Sequence, residues 1–224
     1  MPAAFAASLA VFRKDLRSEL RTRYALNALL MFVVTTLSMI LFAIGSETIP
    51  SEILSGLLWI VVFFSTMSGL SRTFVSEEER GTVMTLQLSA RPVTVYAGKL
   101  IFNAVLLSSL NVLTVALFLV LIPNFHVENW GIFLVTFLLG TLGLASASTI
   151  LAAIISKANT RGTLYPVLSF PILLPLLLTV ISATNMAVEG NPIADAMGEF
   201  RVLISYLVVV TAISWLLFDV VWRE

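Results

Sequence analysis

Six stretches of this chain carry no charged side chain: residues 24–46, 53–71, 100–127, 129–156, 162–188 and 202–218. About 20 apolar residues suffice to cross a bilayer as a helix, so each stretch can span once, the last by drawing Arg201 or Asp219 into an interface. Soluble domains carry about 25% charged residues. Here the figure is 12%, with 58% hydrophobic residues and a mean hydropathy of +1.00. The chain therefore reads as an all-α, polytopic integral membrane protein. Its six transmembrane helices are expected at 24–46, 53–71, 100–122, 130–156, 163–183 and 201–221. No linker or hydrophilic block of domain size divides residues 1–224, which argues for one domain.

The charges lie between these runs, and their distribution gives an orientation. Of 13 Lys and Arg residues, five precede the first run, Arg72, Arg80, Arg91 and Lys99 flank the second connection, Lys157 and Arg161 lie in the fourth, and Arg223 is near the chain end. Only Arg201 falls on the opposite side. Basic residues accumulate on the cytoplasmic face, so both ends of the chain are expected in the cytoplasm of a bacterial or archaeal inner membrane. Ahead of the first run, residues 3–23 place Phe5, Leu9, Phe12, Leu16 and Leu20 at helical spacing, with Arg13, Lys14, Arg17 and Arg21 on other faces. That pattern predicts an N-terminal amphipathic elbow helix lying in the bilayer interface. A cleavable signal peptide fits less well, because the basic residues lie too far in and the apolar run behind them is too long.

The longest polar interruption runs from Phe74 to Lys99. Glu77, Glu78, Glu79 and Arg80 lead to Gly81, which ends helices readily. Val83, Leu86 and Ala90 then recur at helical spacing among polar residues, as in a short helix half buried at a membrane surface. Pro92 biases Arg91 towards extended angles and suits the first turn of the next helix. Taken alone, the stretch could equally be a loop whose charges simply stay wet.

Two spans have unusual composition. The fourth carries Gly140, Gly143, Ala145, Ala147 and Ser148, and Gly140, Gly143 and Ala147 are expected to let neighbouring helices approach closely. The fifth carries Pro166, Pro171 and Pro175, each of which removes a backbone donor, so a kink or break is expected there, static or acting as a gate. Trp130 and Trp222 suit interfacial belts at opposite faces. Some chemistry is missing. Gly98-Lys99 lacks the upstream glycine and the following Ser or Thr of a phosphate-binding loop, so ATP hydrolysis must come from a partner. No ionisable residue lies near the middle of a span, unlike ion-coupled pumps. His126 is the sole histidine and cysteine is absent, which leaves no catalytic pair, thiolate metal site or disulfide. No basic patch interleaved with aromatics indicates nucleic acid.

The order acidic residue, Gly81-Thr82, Leu86, Ser89, Pro92 and a small residue before Lys99 resembles the first cytoplasmic loop of ABC-2-type transporter permeases. With the chain length, the Phe12-Arg13-Lys14-Asp15-Leu16 start, the Leu138-Leu139-Gly140-Thr141 run and the Leu173-Leu174-Pro175-Leu176-Leu177 tract, the chain most resembles CcmB-type permeases of cytochrome c maturation. The resemblance implies that residues 75–95 form a cytoplasmic coupling segment docking on a separate CcmA-like ATPase, with Glu77, Glu78, Glu79, Gly81, Thr82 and Leu86 making the contact. It implies heme as the transported substrate rather than a stably bound cofactor, CcmC-like and CcmD-like membrane subunits, and delivery to a periplasmic heme chaperone. Pairing with a second copy or a related permease is expected. Two other readings stay open, an ABC-2 exporter of a lipid, drug or glycan, and a non-transporting membrane assembly scaffold.

Overall fold

The computed structural model describes residues 2–45, 47–70, 73–75, 77, 81–122, 124–156 and 161–223. Among these residues it is all helical: α1 (Pro2–Thr22), α2 (Tyr24–Ile44), α3 (Ser51–Leu70), α4 (Val83–Ser89), α5 (Pro92–Leu121), α6 (Trp130–Ser156), α7 (Arg161–Val188) and α8 (Met197–Arg223). Six of them, α2, α3 and α5 to α8, are long and apolar enough to cross a membrane.

The helix ends follow from local chemistry. Arg91 is extended (φ −67°, ψ 144°), as a residue before proline prefers, and Pro92 opens α5 where its missing N–H costs nothing. Asn129 caps α6, its Oδ1 accepting from the N–H groups of Gly131 (3.1 Å) and Ile132 (3.2 Å). α7 closes on Gly190 at φ +76°, with the Asn191 N–H donating to the Met186 carbonyl. The Ala187 carbonyl takes N–H donors from Glu128 and Asn129, tying the end of α7 to the start of α6. Between α1 and α2 only Arg23 intervenes, in the left-handed region at φ 50°, joining two helices of 21 residues each.

α6 is the central helix, packed against α3, α5, α7 and α8. Its small residues make this possible. A Cβ on Gly140 would lie 2.5 Å from the Trp59 ring of α3 and 2.9 Å from Val180 of α7, and one on Gly143 would lie 2.9 Å from Leu176. Ala147 is fully buried on the same helix. Three polar side chains inside the bundle pair across helices, which offsets the cost of burying them away from water. Asn103 of α5 donates to Thr149 of α6 (2.9 Å), Asn111 to Thr141 (3.1 Å), and the Trp59 indole to Thr184 (2.8 Å).

Of the kink or break expected at its prolines, α7 is not broken, since it runs as one helix through Pro171 and Pro175. Both prolines are exposed, whereas Ser169, Leu173, Leu176 and Val180 form the buried face. The lost backbone bonds therefore lie on the outer side, away from the packed core. The Tyr206 hydroxyl of α8 donates to the nearby Ile172 carbonyl (3.0 Å). At Pro166 only the helical backbone is described.

Candidate functional site

At the end of the bundle where α1 and the close of α8 lie, α1 crosses the first turns of α5. Gly98 sets the crossing. A Cβ there would stand 2.7 Å from the Ser8 carbonyl oxygen and 2.7 Å from Val11 Cβ, so only a glycine admits α1 this close. The face of α1 turned to the protein is Ser8, Val11 and Asp15, all buried. Of its apolar stripe, Phe12 and Leu16 are half buried against the core, while Phe5 and Leu20 face outward.

This close approach encloses Lys99, the last residue before the third charge-free run, to 1% exposure. Its ammonium donates to Asp15 Oδ2 (3.1 Å), Glu77 Oε1 (3.1 Å) and the Thr73 carbonyl (3.0 Å), using all three N–H groups. The Phe74 ring lies 5.1 Å from the nitrogen. Lys14 donates to the same Glu77 oxygen and contacts Asp15 Oδ1 at 3.2 Å. Thr82 donates to the other Glu77 oxygen and, through its N–H, to the Glu77 carbonyl. Among the described residues, two cations and two anions from three stretches of the chain thus form a charge-neutral quartet. Neutrality matters, because an unpaired charge in such a place costs several kcal/mol, roughly 3–5 when one partner is removed.

Burial works against the charge on Glu77, but Lys99, Lys14 and Thr82 outweigh it and hold the carboxyl down at about 2. For Lys14, partial burial lowers the tendency to hold a proton, yet Glu77 and Asp15 more than reverse this and raise it above the ordinary lysine value.

The quartet is wired to its surroundings on two sides. Inward, the Thr73 hydroxyl donates to Asn103 Oδ1 (3.2 Å), which continues through Thr149 to the Ala145 carbonyl of α6. Sideways, Phe74 belongs to an aromatic wall with Tyr96, Phe218 and Trp222, ring centroids 5.0 to 6.1 Å apart. α4 hangs from this wall through Gln87, whose amide donates to the Trp222 carbonyl (2.7 Å). None of its seven residues is fully buried. Val83 and Leu86 lean on the core half buried, and Met84 and Leu88 are exposed at 72% and 85%.

The residues singled out in the sequence therefore fall in three places. Glu77 and Thr82 meet in the quartet, with Glu77 facing inward at 6% exposure, Gly81 makes the turn at φ +66° with open space around it, and Leu86 faces the core. Glu78 and Glu79 lie outside the described residues. Gly140, Gly143 and Ala147 are in the central packing, and Pro171 and Pro175 on the outer face of α7. Sequence reasoning missed Lys14, Asp15 and Lys99 as partners of Glu77. A faint signal existed, since Asp15 is an acid among basic residues in line with Ser8 and Val11, and Lys99 follows a glycine at the mouth of an apolar run.

A second feature is a groove of about 770 Å³ on the bundle's outer side between α5, α6 and α8. Leu100, Ala104, Ala145, Trp215 and Leu216 line it, and Ser146 and Thr211 share a hydrogen bond (2.9 Å) at its floor. Its lining offers neither an iron ligand nor a cation. No group of three or more His, Cys, Asp or Glu residues suited to a metal occurs among the described residues.

Six membrane-length helices around a small-residue core, with a buried polar joint at one end, define a polytopic membrane protein. The chain belongs to the CcmB family, whose model, described as CcmB protein, matches residues 6–219. Heme exporter protein B of Bradyrhizobium diazoefficiens is 24% identical over 182 residues, covering 81% of this chain and 82% of the relative. The Haemophilus influenzae protein of the same name is 23% identical over 180 residues (80% and 81%), and that of Pseudomonas aeruginosa 24% over 164 (73% and 74%).

Proposed function

We propose that this chain is the permease subunit of an ABC-type complex that serves heme export in cytochrome c biogenesis. The observation that carries this reading is the family match over nearly the whole chain, together with relatives named as heme exporters. The residues explain how such a subunit would work. The sequence has no nucleotide loop, so work must enter from an ATPase partner resembling CcmA. That the basic residues collect in the connections on the side of the quartet supports a cytoplasmic position for that end, both chain ends and α4, where an ATPase can reach them. α1, with Phe5 and Leu20 facing outward and a left-handed residue, Arg23, where it meets α2, acts as the interfacial elbow.

Partners of CcmC and CcmD type, a second permease copy and a periplasmic heme chaperone complete the assembly in the inner membrane. Heme carries two carboxylates and an iron, whereas the groove beside α8 offers neither cations nor ligands. This favours a subunit that drives release of the heme-loaded chaperone over one that holds heme in that groove. Deleting the gene should abolish covalent c-type cytochromes and leave b-type heme proteins intact, and the intact gene should restore them. Normal heme-stained c-type cytochromes in the deletion strain, in a cell with no second copy, would overturn the proposal.

A further inference from the structure

We propose that Lys99, with Glu77 and Asp15, is a positioning clamp that makes α1 and the coupling segment move as one body. The inference rests on the reading that an ATPase acts on that segment, and goes beyond it by assigning how the push leaves the segment. α4 has no fully buried residue, so apolar packing alone cannot carry load from it into the bundle. Among the described residues its attachments are the half-buried Val83, Leu86 and Ala90, the Gln87 bond to Trp222, the short link through Arg91 forward into α5, and the chain running back through Thr82 to Glu77. Glu77 is the point where this last path divides. One branch passes through Lys14 into α1, and the other through Lys99 into α5 and, by way of Asp15, again into α1.

The two branches lead to different helices. α1 continues into α2 across the single left-handed residue Arg23, so a tilt of α1 is delivered to α2 at a defined pivot. α5 continues into α6 through Asn103 and Thr149. Gly98 adds the close contact that lets α1 follow α5 without slack. A purely apolar joint of this size would hold the elements together without fixing their relative angle, whereas three directed bonds to one buried ammonium fix both.

The test uses a charge-balanced variant, Lys99→Met with Glu77→Gln. It cuts both ionic branches from Glu77 but leaves Lys14 and Asp15 as a neutral pair, so no net buried charge is created. Because the chain has no cysteine, single cysteines at the exposed positions Arg13 and Thr85 accept spin labels cleanly. Distances are measured in the whole complex, purified from its own membranes into nanodiscs. The native chain should give one narrow α1-to-α4 distance distribution that stays narrow with and without ATP. The double variant should insert at near-native levels, show a broadened distribution, and lose about tenfold or more in c-type cytochrome formation while ATP hydrolysis continues. A distribution that stays narrow, or normal cytochrome formation despite broadening, would overturn the clamp. If the deletion strain itself makes normal c-type cytochromes, the permease reading falls separately and the distance distribution alone decides the clamp.

Discussion

Lys99 shows how much a single side chain can organise. Its three bonds are with residues 15, 73 and 77, so one ammonium ties α5 to two other stretches of the chain. Removing it as Lys99→Met leaves two buried carboxylates with Lys14 as the one cation facing them among the described residues, and should cost about 3–5 kcal/mol and much of the inserted protein. The double variant Lys99→Met, Glu77→Gln should cost distinctly less, a non-additivity that quantitative immunoblotting of membranes would detect. Glu77 also makes stability depend on acid. Its carboxyl is held at about 2 in the folded protein against 4.5 unperturbed, so it stabilises the fold fully above 4.5. As the pH falls from there towards 2, about 3 kcal/mol is lost. Lys14 acts with the opposite sense, its contribution being present below 10.5 and lost as the pH rises through its elevated folded value. Thermal unfolding in micelles across the acid range should show a slope that Glu77→Gln flattens.

At the scale of elements, the glycines separate contact from mere presence. Gly140→Ala should destabilise by about 1–3 kcal/mol, because the Trp59 ring it would strike is buried and tied to Thr184. Gly56→Ala, with nothing within 4 Å of its Cβ, should instead be neutral or stabilising by up to about 1 kcal/mol. Melting temperatures of the two variants in the same detergent would compare them directly. Six spans were legible because a bilayer imposes a length and forbids charge, and both conditions can be counted along a sequence. The turn into α5 was legible for a similar reason, since Pro92 restricts its own φ and the angles of Arg91. The quartet was not legible. Asp15, Glu77 and Lys99 carry no shared spacing, and only the crossing of α1 over Gly98 brings them together. The side of α7 on which Pro171 and Pro175 lie was not legible either, because proline content does not tell which face of a helix the prolines occupy.

For the whole molecule, the proposed function makes this chain a membrane part that a partner drives through one end. Orientation is the first consequence. Introduced cysteines at Thr85 and Glu189 should be labelled from opposite sides, Glu189→Cys from outside intact cells and Thr85→Cys only after the membrane is opened. The central claim is that work enters through α4, and its outward residues are Met84 and Leu88, exposed and therefore dispensable for folding. The most direct measurement is the double variant Met84→Asp, Leu88→Asp in a deletion strain, read for membrane level, ATPase copurification and heme-stained c-type cytochromes. The account predicts a normal membrane level, loss of the copurifying ATPase, and c-type cytochromes reduced about tenfold or more. Retention of the ATPase at its usual ratio together with normal c-type cytochromes would contradict it.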